Sequence, residues 1–118
     1  MTPKGSKAKG KRFSKYVAHF IAKTLGVAPS DVRVPPTSVP GVDVWLSLDA
    51  FNKFPFGIEC KHVEKLNIHD ALKQAKANCK IGSPLVIFTR NHDEVYCALK
   101  LSDFMNALGY SCIHGRDV

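Results

Sequence analysis

The chain has 118 residues, enough for one hydrophobic core and one domain. Apolar residues make up 45% of it, which argues against a disordered chain, and no apolar run of about 18 residues occurs, which excludes a membrane-spanning helix. The net charge is +7, and Lys4, Lys7, Lys9, Lys11, Arg12 and Lys15 precede the first acid, Asp31, so a polyanionic partner is expected, nucleic acid first.

Residues 1–11 are rich in Gly, Lys and Ser and read as a flexible basic tail. Residues 12–118 read as the folded domain. The basic start lacks the apolar stretch of a secretory signal, so an intracellular protein is expected. A helix is expected from Arg12 to Leu25, because Phe13, Val17, Phe20, Ile21 and Leu25 fall near helical spacing and Gly26 ends the pattern. From Asp31 to Pro40 a short strand gives way to a loop stiffened by Pro35, Pro36 and Pro40. Val42 to Leu48 reads as a strand, Asn52, Lys53 and Pro55 as a connection, and Phe56 to Lys61 as the next strand, the pair forming a hairpin with a long loop. A polar helix follows from Asn67 or Ile68 to about Lys80, with Ile68, Ala71, Leu72 and Ala75 on one face. Gly82-Ser83-Pro84 breaks it, and Leu85 to Thr89 is an apolar strand buried on both faces. After a turn at Arg90 to Asp93, Glu94 to Lys100 is a further strand. Ser102 is placed to cap a last helix through Leu108, ended by Gly109. The order α-β-β-β-α-β-β-α implies an α/β fold, a single domain with a central mixed five-stranded sheet flanked by helices.

Two strand-like runs are interrupted by charge: Gly41-Val42-Asp43-Val44-Trp45-Leu46 and Gly57-Ile58-Glu59-Cys60-Lys61. Burying a carboxylate costs several kcal/mol unless it is paired or bound to a metal. Glu59 and Lys61 have the same parity and share a face; if the two strands pair, Asp43 meets them there. Two carboxylates suit a hard cation such as Mg2+ or Mn2+, and the Cys60 carbonyl between Glu59 and Lys61 adds an oxygen. Such a cation polarises a phosphodiester and acidifies its bound water, and Lys61 can orient or deprotonate that water or offset developing charge. An isolated Asp between valines would simply face solvent; it is the combination with the ExK strand that gives the pattern its meaning. Trp45 shares Asp43's face and is expected to pack beneath the flanking helix. His62, of opposite parity, points away.

The four cysteines, Cys60, Cys79, Cys97 and Cys112, form no CxxC pair. They read as reduced, mostly buried thiols rather than a zinc set, even with His114 beside Cys112. Arg33 and Ser38 lie on the approach to Asp43, where they can meet backbone phosphates. Lys73, Lys76 and Lys80 form a basic stripe on the polar helix, either a DNA track or a solvated face.

The Asp…ExK arrangement resembles the PD-(D/E)xK nuclease superfamily, and most closely the Holliday-junction resolvases of archaea and their viruses. The similarity runs from about Gly10 to Leu108, through Gly10-Lys11-Arg12-Phe13-Ser14-Lys15, Arg33-Val34-Pro35, Ser38, Gly41-Val42-Asp43-Val44, Ile58-Glu59-Cys60-Lys61 and Gln74. It implies a restriction-endonuclease-like fold in which Asp43 and Glu59 bind metal, Lys61 serves the attacking water and Gln74 lies near the site. It also implies branched DNA as substrate, a role in recombination or repair, and a homodimer, to which the apolar segment Phe104 to Ile113 can contribute. The basic residues expected on DNA are Lys11, Arg12, Lys15, Arg33, Lys73 and Lys76, with Ser38. Family members often carry a glutamate on the first helix; this chain has none, and His19 or Ser38 are the candidates to replace it. The alternatives are a less selective phage or mobile-element nuclease, a catalytically degenerate DNA-binding module of the same fold, and an RNA-binding protein.

Overall fold

In a computed structural model of the chain, residues 3–111 are described, with side chains from residue 8 onward. The elements are α1 (Pro3–Leu25), β1 (Val32–Arg33), β2 (Trp45–Leu46), α2 (Leu48–Lys53), β3 (Phe56–His62), α3 (Ile68–Asn78), β4 (Ser83–Thr89), β5 (Tyr96–Ala98) and α4 (Leu101–Ala107). A 3-10 turn at Pro29–Asp31 precedes β1, held by Asp31 Oδ2 accepting from the Ala28 amide at 3.1 Å.

The fold is built around β3. It pairs in parallel with β4, in a register that sets Glu59 opposite Val86 and Lys61 opposite Phe88. Parallel neighbours need a crossover, and α3 supplies it. β5 returns antiparallel on the outer edge of β4. α1 covers one face of this sheet: Phe13, Val17 and Ile21 pack with Ile58, Leu85 and Ile87 in one buried cluster. On the other face Ala71 and Ala75 of α3 meet Val86, small residues that let the helix lie close. Gly26, at φ 72°, ends α1 in a left-handed turn that L side chains resist. Beyond the part α1 covers, a groove of about 550 Å3 stays open between Tyr16 and Phe20 of α1 and Val95 and Cys97 beside the β5 edge.

The α/β class and the order of strands and main helices agree with the sequence pattern. The single five-stranded sheet does not form. β1 and β2 make a separate two-stranded antiparallel sheet, and β3-β4-β5 a mixed three-stranded one. An isolated antiparallel bridge, Val44 to Ile58, joins them. The reason lies in a side chain. The Cys60 amide, which a continued ladder would give to a backbone carbonyl, donates to Asp43 Oδ2 at 2.8 Å. The strand expected over Val42 to Leu48 therefore shrinks to two residues, while the short strand expected at the start of Asp31 to Pro40 is Val32–Arg33. The expected loop of the hairpin contains α2, begun by Ser47, whose hydroxyl accepts from the Ala50 amide at 3.2 Å.

Three further boundaries move. α1 starts at Pro3 rather than Arg12, so residues 3–11, read as a flexible tail, are helical. Pro3 suits a first turn, and Lys and Ala favour helix across a stretch with no later proline. The strand expected over Glu94 to Lys100 is confined to Tyr96–Ala98. Lys100, not Ser102, occupies the N-cap of α4. Cys112, Ile113 and His114 lie outside the described residues.

Candidate active site

Each polar residue of the two interrupted runs is placed by β3 or its neighbours. Side chains alternate along the strand, so Glu59 and Lys61 face α3 while Ile58, Cys60 and His62 face α1. Accordingly, Asn78 Nδ2 of α3 donates to Glu59 Oε1 at 3.1 Å, and Lys61 Nζ donates to Gln74 Oε1 at 2.6 Å. On the opposite face the His62 ring meets Phe13 edge-on, with centroids 5.6 Å apart, as its parity predicts. Gln74 and Asn78 are one helical turn apart on α3, so one helix face supplies both amides.

Asp43 arrives from the segment just before β2. Its amide donates to the Ile58 carbonyl at 2.9 Å, and its Oδ2 accepts from the Cys60 amide at 2.8 Å. In an extended strand one residue's N–H and C=O point the same way, so the Cys60 carbonyl faces the Asp43 side as well. The Asp43 and Glu59 carboxylates lie close enough for the charge of one to act on the other, and Lys61 Nζ lies 3.8 Å from Glu59 Oε2. The four residues expected to carry chemistry, Asp43, Glu59, Lys61 and Gln74, are thus brought together.

The electrostatics follow from burial. Glu59 is only 4% exposed. Desolvation first, and the Asp43 charge second, raise its pKa from 4.5 to about 7; the Asn78 hydrogen bond and the Lys61 charge pull it partly back. Two adjacent carboxylates that resist joint ionisation are a natural seat for a cation. The donor set is oxygen only: two carboxylates and the Cys60 carbonyl. Among the described residues no group of three His, Cys, Asp or Glu side chains is placed to hold a metal. Mg2+ tolerates this, since it keeps several waters and is commonly held by one or two carboxylates. The residues present therefore fit a hard, largely hydrated divalent ion. Cys60 is no nucleophile: burial, then the Asp43 charge, push its thiol up to about 12 despite a hydrogen bond with Ser14.

Sequence reasoning missed Asn78 and Ser14. Asn78 follows Gln74 by four positions, a spacing that could have flagged it. Ser14 is buried on α1 and, with Gly10, Lys11, Thr37 and Asp43, lines a cleft of about 190 Å3. Nothing in the α1 pattern singles it out. Ser14 and Gly10, rather than His19 or Ser38, are what α1 and its surroundings bring to the Asp43 side; His19 and Ser38 are exposed and do not line that cleft. Of the residues expected on DNA, Lys11 lines the Asp43 cleft, and Arg12, Lys15, Arg33 and Ser38 are exposed. Lys73 and Lys76 are exposed too, but at about 100° per residue they lie well around α3 from Gln74. Trp45 is 40% exposed instead of covered by α3, because the helix ends at Asn78 and the ring stands beside the segment that follows. No family model, curated protein or solved structure matches the chain.

Proposed function

We propose that the protein is a metal-dependent, structure-selective DNA endonuclease of the PD-(D/E)xK type, cutting branched DNA such as Holliday junctions. The observation that carries this reading is the meeting of Asp43, from the segment before β2, and Glu59 of β3 beside an ammonium that Gln74 holds at 2.6 Å. Isolated strand charges face solvent; here a glutamate is buried near a second carboxylate, an arrangement costly at neutral pH that a cation would relieve.

Asp43, Glu59 and the Cys60 carbonyl would hold Mg2+ or Mn2+. When bound, the ion supplies Lewis-acid polarisation of the phosphate and acidifies water. Gln74 fixes the Lys61 ammonium, which positions the attacking water and offsets the charge that grows on the phosphate oxygens. Asn78 fixes the carboxylate plane of Glu59. Lys11, Arg12 and Lys15, exposed along α1, would carry the sequence-independent attraction to phosphates, as would Arg33. A symmetric cut across a junction needs two sites and hence a homodimer. The exposed Phe104, Leu108 and Tyr110 of α4 and its extension offer apolar surface for one. A second reading, a DNA-binding module that has lost catalysis, is favoured by one observation: α1 presents Gly10 and Ser14 to the Asp43 cleft and no acid.

The test is cleavage of a labelled four-way junction beside a matched linear duplex, with and without Mg2+ or Mn2+, for wild type and Lys61→Ala. Metal-dependent paired cuts confined to the junction are expected, with Lys61→Ala slower by about 100-fold or more and junction binding retained. Equal cleavage by Lys61→Ala would refute the site. Cutting of every substrate would reassign the protein to the less selective nucleases. Tight binding with no cutting would establish the binding module.

A further inference from the structure

A second cleft, of about 300 Å3, shares Val42 with the Asp43 cleft. Its walls include Gly41, Val42, Trp45, Phe56, Asn78 and Lys80. Three features give it a chemical character. Trp45 leaves 40% of its surface to solvent, an unusual exposure for the largest aromatic side chain. It stands two positions beyond Asp43 in the chain, and Val42, next to Asp43, lines both clefts. Asn78 belongs to both places: it lines this cleft and donates to Glu59 Oε1 at 3.1 Å. Its amide has further donor and acceptor capacity. Lys80 adds a cation at the rim.

A flat aromatic surface, an amide and an ammonium around a space this small match one planar heterocycle joined to a phosphate. The volume is at the lower limit of pockets that take organic ligands and does not admit a double helix. We propose that this cleft binds one unpaired nucleobase of a DNA strand, stacked on Trp45, next to the phosphate held at Asp43 and Glu59. The choice of DNA as the polymer rests on the nuclease reading. A base inside a duplex must be unstacked to enter, whereas a base at a branch point or flap is already free or nearly so. The cleft would then select branched DNA without reading its sequence.

Trp45 is the only tryptophan of the chain, so its fluorescence reports this site alone. The full chain, kept free of divalent metal, is titrated with a duplex bearing a short unpaired purine flap, with the same flap made of abasic residues, and with blunt duplex; binding is followed in parallel by anisotropy of a labelled strand. Saturable quenching is expected with the purine flap only. Trp45→Ala should weaken purine-flap binding roughly tenfold or more while leaving abasic-flap binding unchanged, and Trp45→Phe should retain most of the affinity. Purine-flap binding without quenching, equal affinity for abasic and purine flaps, or no DNA binding at all would overturn the proposal. The two readings separate when metal is added. Quenching without cleavage defeats the nuclease reading and leaves the base site standing; cleavage without quenching does the reverse.

Discussion

Glu59→Gln removes a charge that the folded protein holds at a cost, and the size of that cost can be worked from its surroundings. Burial, followed by the Asp43 carboxylate, raises the Glu59 pKa from 4.5 to about 7. Between those values the folded protein keeps a proton that the unfolded chain releases, so it binds more protons and loses stability as pH rises. The stabilising contribution is complete below pH 4.5, falls through the window, and is gone once pH passes about 7. At 1.36 kcal/mol per unit the full swing is about 3 kcal/mol. Water reaching the site screens the carboxylate pair and brings the expectation nearer 2 kcal/mol. Gln at this position keeps an oxygen for the Asn78 amide and carries no charge. Urea denaturation of metal-free protein at pH 5, 6, 7 and 8 should therefore show wild type losing about 2 kcal/mol relative to Glu59→Gln across the series. Millimolar Mg2+ at pH 8 should return part of that loss to wild type and none to the variant, because a cation that binds only the folded site stabilises it. Parallel pH profiles for the two proteins would refute the assigned burial and contact with Asp43.

Two further substitutions probe the frame and the cation seat. Gly57→Ala would place a Cβ 2.5 Å from Cys79 Sγ and 3.0 Å from its Cβ, where β3 passes the end of α3; a loss of about 1–3 kcal/mol in urea denaturation is expected, partly recovered by adding Cys79→Ala. Full stability of the single variant would contradict that packing. Gly10→Glu has open space at its Cβ and lines the Asp43 cleft, so it offers α1 an acid without a clash. A carboxylate at 4 Å from a divalent ion in water is worth about 2 kcal/mol, so calorimetry should find Mg2+ or Mn2+ bound about thirtyfold more tightly. Unchanged affinity would argue against a cation at Asp43.

The elements that were legible from sequence are those whose pattern is continuous. β3, β4 and α3 have apolar runs or helical spacing bounded by strong signals, and Asn67 caps α3 by accepting from the Asp70 amide at 3.1 Å. Glu59 and Lys61 follow from parity, because they must share a face, whereas Gln74 was reached only through the family resemblance. What stayed hidden was decided by tertiary contact. The sequence Leu48-Asp49-Ala50-Phe51-Asn52-Lys53 carries a Ser cap and an acid in its first turn, yet six residues are too few for periodicity to separate a helix from a loop. The split of the sheet was not legible either, since nothing local says that the Asp43 carboxylate will take a main-chain amide. Ser14 was invisible for a like reason: a small polar residue in a helix gains meaning only from what lies opposite it.

The bond from the Cys60 amide to Asp43 Oδ2 makes one residue serve two purposes. Along the seam between the two sheets the main chain contributes the Val44–Ile58 bridge and the Asp43 amide, and the Asp43 side chain reinforces both. The carboxylate assigned to hold the ion is therefore also a fastener between two halves of the molecule. Asp43→Ala would loosen the seam as well as empty the site, and its inactivity would say nothing specific about chemistry; Asp43→Asn, which retains an acceptor for the Cys60 amide, is the informative variant. For the same reason, filling the metal position should tighten the joint, and a rigid protein and a loaded site would be one and the same state.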